Sequence, residues 1–297
     1  MIEHIIPDAV PPMPLEKYLR RGWPLIPGHV LRDILKKKDV RVNGVRSDGR
    51  AGVRGSDALT IYGDSSWLEP LPDILWTDDR LIVSVKPQGL PVDVDQDGIG
   101  ADTLLTRLRR RWPGARLCHR LDAATGGIVL AAADDGIVLA AADDGICAQA
   151  LEAFRNHLIR KEYHALALNR FDRRQGTLNA WLMKDARRSE VRVLHQPRPG
   201  ARPIETRYRV GGEAVPDIFH VWLEPVTGRT HQLRAHMADF GHPLLGDDKY
   251  GSRIANRQHP GTPLCLWHER LTLPADCPLI DYRARVFESP APEWKIQ

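Results

Sequence analysis

Residues 127–135 read Gly-Ile-Val-Leu-Ala-Ala-Ala-Asp-Asp, and residues 136–144 repeat them letter for letter. Nothing else in the chain shows that period, so this is a tandem duplication and not a solenoid repeat. Inserted into a helix at about 100° per residue, nine residues rotate everything downstream by roughly half a turn. Inserted into a strand, an odd number sends every inward side chain to the outer face. Neither element absorbs the repeat in place. One copy is therefore expected to be displaced into a connection, with Asp135-Gly136 suited to turn the two copies into a hairpin. Identical residues do not say which copy occupies a core strand.

The duplication starts inside a stretch that the rest of the chain is built to serve: His119-Arg120-Leu121-Asp122-Ala123-Ala124-Thr125-Gly126-Gly127. It sets the Asp122 carboxylate beside the Arg120 guanidinium in a turn-rich segment. The apolar run Ile128-Val129-Leu130 follows at once, and the mouth of a buried strand is a place where a reactive side chain is held still. An aspartate in a loop is ordinarily a cap or turn former, so this stretch alone leaves both readings open.

Composition narrows the class. With 297 residues and 42% hydrophobic content, the chain suffices for one large core and a small satellite domain. No apolar run approaches the roughly 20 residues that span a bilayer, and Met1–Pro7 lacks the pattern of a secretory signal. No membrane association is expected. Cys118, Cys147, Cys265 and Cys277 lie far apart with no Cys-x-x-Cys pair, which argues against a zinc site or disulfide framework and for a reducing cytoplasm. The net charge is only +4, but Lys36-Lys37-Lys38 and Arg107 with Arg109-Arg110-Arg111 are dense local clusters. Such clusters suit a polyanion, as they also suit a solvated helix face.

In chain order, Leu15, Tyr18 and Leu19 recur at helical spacing, and Val30–Lys38 reads as a second helix with lysines at its C-terminal end. Val40–Val42 alternates like a strand and runs into an Asn43-Gly44 turn. A short strand, Ala58–Tyr62, closes this unit. Gly63–Pro72 reads as polar linker. Residues 74–85 read as a hairpin, Lys86–Val92 as a strand break, and Asp102–Arg111 as a basic amphipathic helix. Ala148–Leu158 reads as a helix and Arg160–Leu168 as a strand. Trp181–Arg209 reads as basic and irregular, and Phe219–Glu224 as a strand that delivers Gly228-Arg229-Thr230 to a helix over 231–237. Two further strands are expected near Leu264–Trp267 and Tyr282–Phe287.

Three separated motifs thus occur in order: His-Arg-Leu-Asp-x-x-Thr-Gly-Gly, Lys-x-Tyr, and Gly-Arg-Thr-His-Gln-Leu-Arg-x-His. Together with Lys-Pro-Gln-Gly-Leu and Gly-Asp-x-x-Tyr-Gly, they resemble the RluA-type family of RNA pseudouridine synthases over essentially the whole chain. Residues 1–63 resemble the S4 RNA-binding module, in which the second helix and following strand present basic residues to RNA; here those are Lys36, Lys37, Lys38 and Arg41. The resemblance implies an α+β fold: a mixed, largely antiparallel catalytic sheet over 73–297, joined through a 64–72 linker to the S4-like domain. It implies isomerisation of uridine to pseudouridine in RNA, with ribosomal RNA as substrate and base flipping as the route of access. Asp122 falls on the family's essential aspartate, Arg229 on its ion-pair partner, Tyr163 on the ring that packs against the base, and Arg120 on the intercalating arginine. A carboxylate acting on a sugar needs no metal or cofactor, and a monomer is expected. His231 and His236, five apart, lack metal-ligand spacing and read as structural, as do Gly228 and Asp247. The alternatives are a carboxylate hydrolase, which would need a second carboxylate facing Asp122, and a non-catalytic RNA-binding protein whose Asp122 loop the duplication has loosened.

Overall fold

The computed structural model describes all residues except 96–97, 134–144, 186–189 and 297. The N-terminal elements are β1 (Ile2–Ile5), β2 (Met13–Pro14), α1 (Leu15–Gly22), α2 (Gly28–Lys36), β3 (Val40–Val42), β4 (Val45–Ser47), β5 (Gly52–Val53) and β6 (Ala58–Ile61). An antiparallel sheet in the order β1-β6-β3-β4 packs against the helices. Asn43 and Gly44 both take positive φ, 48° and 83°, the backbone that a two-residue hairpin requires and that this residue pair favours. The expected linker is anchored rather than free. Asp64 caps α3 (Ser65–Leu68), Leu68 is buried in the N-terminal core, and its carbonyl accepts the Trp23 indole N–H at 2.9 Å.

The remainder contains β7 (Asp73–Thr77), β8 (Leu81–Lys86), α4 (Leu104–Arg111), β9 (Arg116–Leu117), β10 (Gly126–Ala132), α5 (Ile146–Arg155), β11 (Arg160–Leu168), β12 (Gln175–Asp185), β13 (Glu190–Leu194), β14 (Arg202–Val215), β15 (Ile218–Pro225), α6 (Gln232–Asp239), α7 (Arg253–Gln258), β16 (Leu266–Thr272) and β17 (Val286–Glu288). They build an 11-stranded sheet in the order β13-β12-β14-β15-β11-β16-β10-β8-β7, with β17 on β16 and β9 on β10. The β10–β16 pairing is parallel and the others are antiparallel, which is the expected mixed, largely antiparallel α+β fold.

The stretch expected to be irregular instead contributes to three antiparallel strands, with β12 paired between β13 and β14. Along β14, buried Ile204, Thr206, Tyr208 and Val210 alternate with Glu205, Arg207 and Arg209. That is period-two alternation, which a count of basic residues conceals. The final strands also sit later than expected, because Leu264 and Cys265 precede β16 and Ile280–Tyr282 is a 3₁₀ turn.

The first copy of the duplicated nonamer makes the core strand. Every residue of β10 is buried, and Gly127–Ala132 pair in register with Lys86–Leu81 of β8. The second copy and the expected Asp135-Gly136 turn lie outside the described residues. At Gly126 a Cβ would collide with the Trp267 ring, and at Gly127, where φ is 111°, with the His268 backbone. The glycine pair therefore permits the close parallel approach of β10 to β16. Deleting Gly136–Asp144 joins Asp135 to Gly145 and recreates the junction found at Asp144-Gly145. Because loop-closure entropy varies slowly with length, thermal unfolding of the deletion variant is expected to show stability unchanged or raised by about 1 kcal/mol. A fall of several degrees would mean that the second copy supports the core.

Candidate active site

Asp122 sits one turn ahead of β10, and the turn is closed by the Thr125 N–H donating to the Asp122 carbonyl at 3.0 Å. The segment after β8 clamps this loop from below. The Gly89 N–H donates to the Ala123 carbonyl at 2.8 Å, and the Gln88 amide donates to the Ala124 carbonyl at 3.1 Å. The Lys86 ammonium, on a fully buried side chain, reaches the carbonyls of Pro87, Leu90 and Ala123 at 3.0, 2.7 and 3.0 Å. Held in this way, Asp122 opens into a cavity of about 1180 Å³ whose wall also carries Arg120, Lys161, Tyr163, Arg229, His231 and Arg234.

Two basic groups face the carboxylate. Arg234 Nη1 lies 3.9 Å and His231 Nε2 3.7 Å from Asp122 Oδ2. Arg234 is fixed by a two-pronged pair with buried Asp247, Nε–Oδ2 at 2.8 Å and Nη2–Oδ1 at 2.7 Å. Burial opposes its charge, yet the bonds to Asp247 and the attraction of Asp247, Asp122 and Asp248 raise its pKa above the ordinary arginine value. Arg234 is thus a permanent cation aimed at the carboxylate. Burial holds His231 below its usual value, against the pull of Asp122. The Tyr250 hydroxyl accepts the Val191 N–H at 3.0 Å, leaving its own proton for His231 Nδ1 at 2.8 Å. A neutral His231 then turns its Nε2–H toward Asp122.

The expected Asp122–Arg229 pair is not the one formed. Arg229 lines the same cavity, but its side chain is exposed in the β15–α6 loop, and the ion pairs of Asp122 among the described residues go to Arg234 and His231. The reason is local. His231, the N-cap of α6, takes a left-handed backbone at φ 54°, which leaves Arg229 on the loop and turns Arg234 inward on the first helical turn. Of the residues read as structural, His236 is so, its Nδ1 bonded to Thr206 Oγ1 at 3.0 Å and its pKa lowered by burial to about 4. His231 and Asp247 instead belong to the site. Their signal was the motif itself, which holds two arginines five residues apart and does not say which reaches the acid.

Tyr163 on β11 is buried, and its ring stacks on His268 with centroids 4.6 Å apart and planes 18° apart. Burial, then the Asp122 charge, raises its pKa, so the hydroxyl stays neutral. His268 is oriented by donating Nδ1–H to the Ile128 carbonyl of β10 at 2.6 Å. It therefore ties the strand that follows Asp122 to the one bearing Tyr163. Arg120 is exposed at the cavity rim. Lys36, Lys37 and Lys38 are exposed on the N-terminal unit, with Arg41 packed over the Tyr62 ring at 5.4 Å. None of these four lines the cavity; Lys38 and Arg46 border a separate hollow of about 410 Å³.

Residues 80–239 match the family described as RNA pseudouridylate synthase. Over 257 residues the chain is 32% identical to the ribosomal large subunit pseudouridine synthase C of Vibrio cholerae, covering 80% of this chain and 77% of that protein. It belongs to the RluA-type family of RNA pseudouridine synthases. The dual-specificity RNA pseudouridine synthase RluA of Escherichia coli is 34% identical over 206 residues, 69% of this chain and 88% of that one. The solved structure of human RNA pseudouridylate synthase domain containing 1 shares the fold, with a TM-score of 0.59 at 24% identity over 78% of this chain and 87% of that chain. The chain is accordingly an RNA pseudouridine synthase, an enzyme that isomerises uridine to pseudouridine within RNA.

In this synthase Lys86 supports the loop that presents Asp122. Burial lowers its pKa to about 7, against the attraction of Asp122 and together with the repulsion of Arg107, while three carbonyl acceptors suit the ammonium form. Lys86→Met would strand the Leu90 carbonyl and leave those of Pro87 and Ala123 with only the Leu90 and Gly89 N–H groups, and a buried polar group left unsatisfied costs about 1–3 kcal/mol. The expected result is a destabilisation of about 1–3 kcal/mol, read by urea unfolding. A variant as stable as the parent would remove Lys86 from this role.

Proposed function

We propose that this synthase modifies ribosomal RNA, with Asp122 as the group that acts on the sugar of a flipped uridine. The carboxylate attacks as nucleophile or base while the bond from ribose C1′ to uracil N1 breaks, and C1′ is rejoined to C5 of the base, which then loses its proton. Arg234 and the Nε2–H of His231 favour the ionised carboxylate. The cavity side of the Tyr163 ring receives the uracil, with His268 stacked on the ring. Arg120 fills the space that the nucleotide vacates. Residues 1–63 serve as an S4-like RNA-binding domain through Lys36, Lys37, Lys38 and Arg41. With such a substrate the protein works in the cytoplasm, as a monomer. The supporting observation is the 3.9 Å approach of a fixed guanidinium to a loop carboxylate in a cavity shared with Tyr163. The relatives named for the ribosomal large subunit point to the RNA.

Tritium release from ribosomal RNA carrying 5-tritiated uridine tests this, because C5 loses its hydrogen only when the new carbon–carbon bond forms. Purified protein is expected to release tritium. Bound RNA with no release would favour the non-catalytic RNA-binding alternative.

A further inference from the structure

Away from the Asp122–Arg234 corner, the same cavity gathers a second set of basic groups. Lys161 comes from β11, His157 from the turn between α5 and β11, and Arg229 from the β15–α6 loop. Among the described residues, none of these three side chains makes a hydrogen bond or an ion pair. The Lys161 ammonium has the Phe154 ring 5.6 Å away and lies against Gly228, where an added Cβ would stand 3.4 Å from Nζ. His157 is set by a left-handed backbone, φ 57°. Burial, then the charges of Lys161 and Arg229, hold His157 below its ordinary value, and no carboxylate opposes them. Burial also lowers Lys161. Cations brought together with no carboxylate in hydrogen-bond or ion-pair contact among the described residues raise the free energy of the empty site. An anionic ligand would relieve that cost.

We propose that Lys161, His157 and Arg229 form an anion subsite that holds one phosphodiester of the RNA beside the nucleotide delivered to Asp122. This rests on the reading of Asp122 given above. Three features select a phosphodiester. Arg229 offers a planar fork suited to two phosphate oxygens, and Lys161 a point charge. Lys161 also stands two residues before Tyr163 on one strand, about 7 Å along it and on the same cavity wall. A base on Tyr163 thus places the strand's own backbone near Lys161. The contact is to backbone and carries no base preference, so it positions the strand without specifying the sequence.

The test follows the His157 ring by NMR in the full chain, its signal assigned with His157→Gln. Inorganic phosphate and uridine 5′-monophosphate are expected to raise the His157 titration midpoint, and uridine is not. In Lys161→Gln the midpoint of the free protein should already be higher, and its phosphate response should be lost. With RNA, that variant should raise KM about tenfold and change kcat far less, and should reduce the slope of log KM against log salt by about one. A His157 midpoint indifferent to both phosphates would overturn the subsite, as would a Lys161→Gln effect on kcat alone with the salt slope intact. Asp122→Asn should keep the phosphate response, so the subsite can fail or survive independently of the catalytic reading.

Discussion

Asp122→Asn is expected to reduce tritium release at least about a thousandfold, a loss of about 4 kcal/mol in transition-state stabilisation, while the thermal unfolding midpoint scarcely moves. The two halves of that result have separate causes. The amide keeps the shape of the carboxylate but lacks the charge and nucleophilicity that the reaction on the sugar needs. Stability changes little because Asp122 anchors nothing: its side chain is 28% exposed, and its contacts to His231 and Arg234 are 3.7 and 3.9 Å. Partly exposed pairs of that kind contribute only about 0–1 kcal/mol. The loop stays in place through main-chain carbonyls, those of Ala123 and Ala124, which the substitution leaves untouched. RNA affinity should likewise persist. Release above a tenth of the parent rate would remove Asp122 from the chemistry.

What could be read from the residues alone divides along physical lines. The β3–β4 hairpin was legible because Asn-Gly carries its own backbone preference. Asp122, Tyr163, Arg120 and Arg229 were legible as one group because their motifs occur in order, and the cavity does gather all four. The choice between Arg229 and Arg234 was not, since it turns on the left-handed His231 that starts α6, and no local pattern forces that conformation. The Asp247 pair was hidden for a similar reason: its partner is far enough away in the chain that only the folded loop brings the fork and the carboxylate together. Lys86 looked like the start of a strand break, and its three carbonyl partners come from two separate loops. For the duplication, symmetry of sequence withheld the answer. Position decides it, because the copy next to Asp122 pairs directly with β8.

The largest stability effect is expected from Arg234→Met, which strands the Asp247 carboxylate, only 1% exposed. Breaking a buried pair by removing one partner costs about 3–5 kcal/mol, and tritium release should collapse with it because Asp122 loses its fixed cation. Adding Asp247→Asn should restore most of the stability. Asp247 Oδ1 accepts the N–H groups of Lys249 and Tyr250 at 2.9 and 3.0 Å, and an asparagine oxygen can accept both, while the pair of neutral side chains leaves no buried charge unmatched. The double variant should remain inactive, which separates the folding role of the pair from its electrostatic role at Asp122. The pH dependence gives an independent check. Burial would raise the pKa of Asp247, but the bonds and charge of Arg234 outweigh it and hold the carboxyl below its ordinary value. A depressed folded pKa contributes stability that is complete above the unfolded carboxyl value, about 4, and is lost as pH falls through the folded one. Parent protein should therefore lose stability over that acid range more steeply than the double variant. Equal slopes, or activity recovered in the double variant, would show that Arg234 does not couple the buried Asp247 to the acid in the cavity.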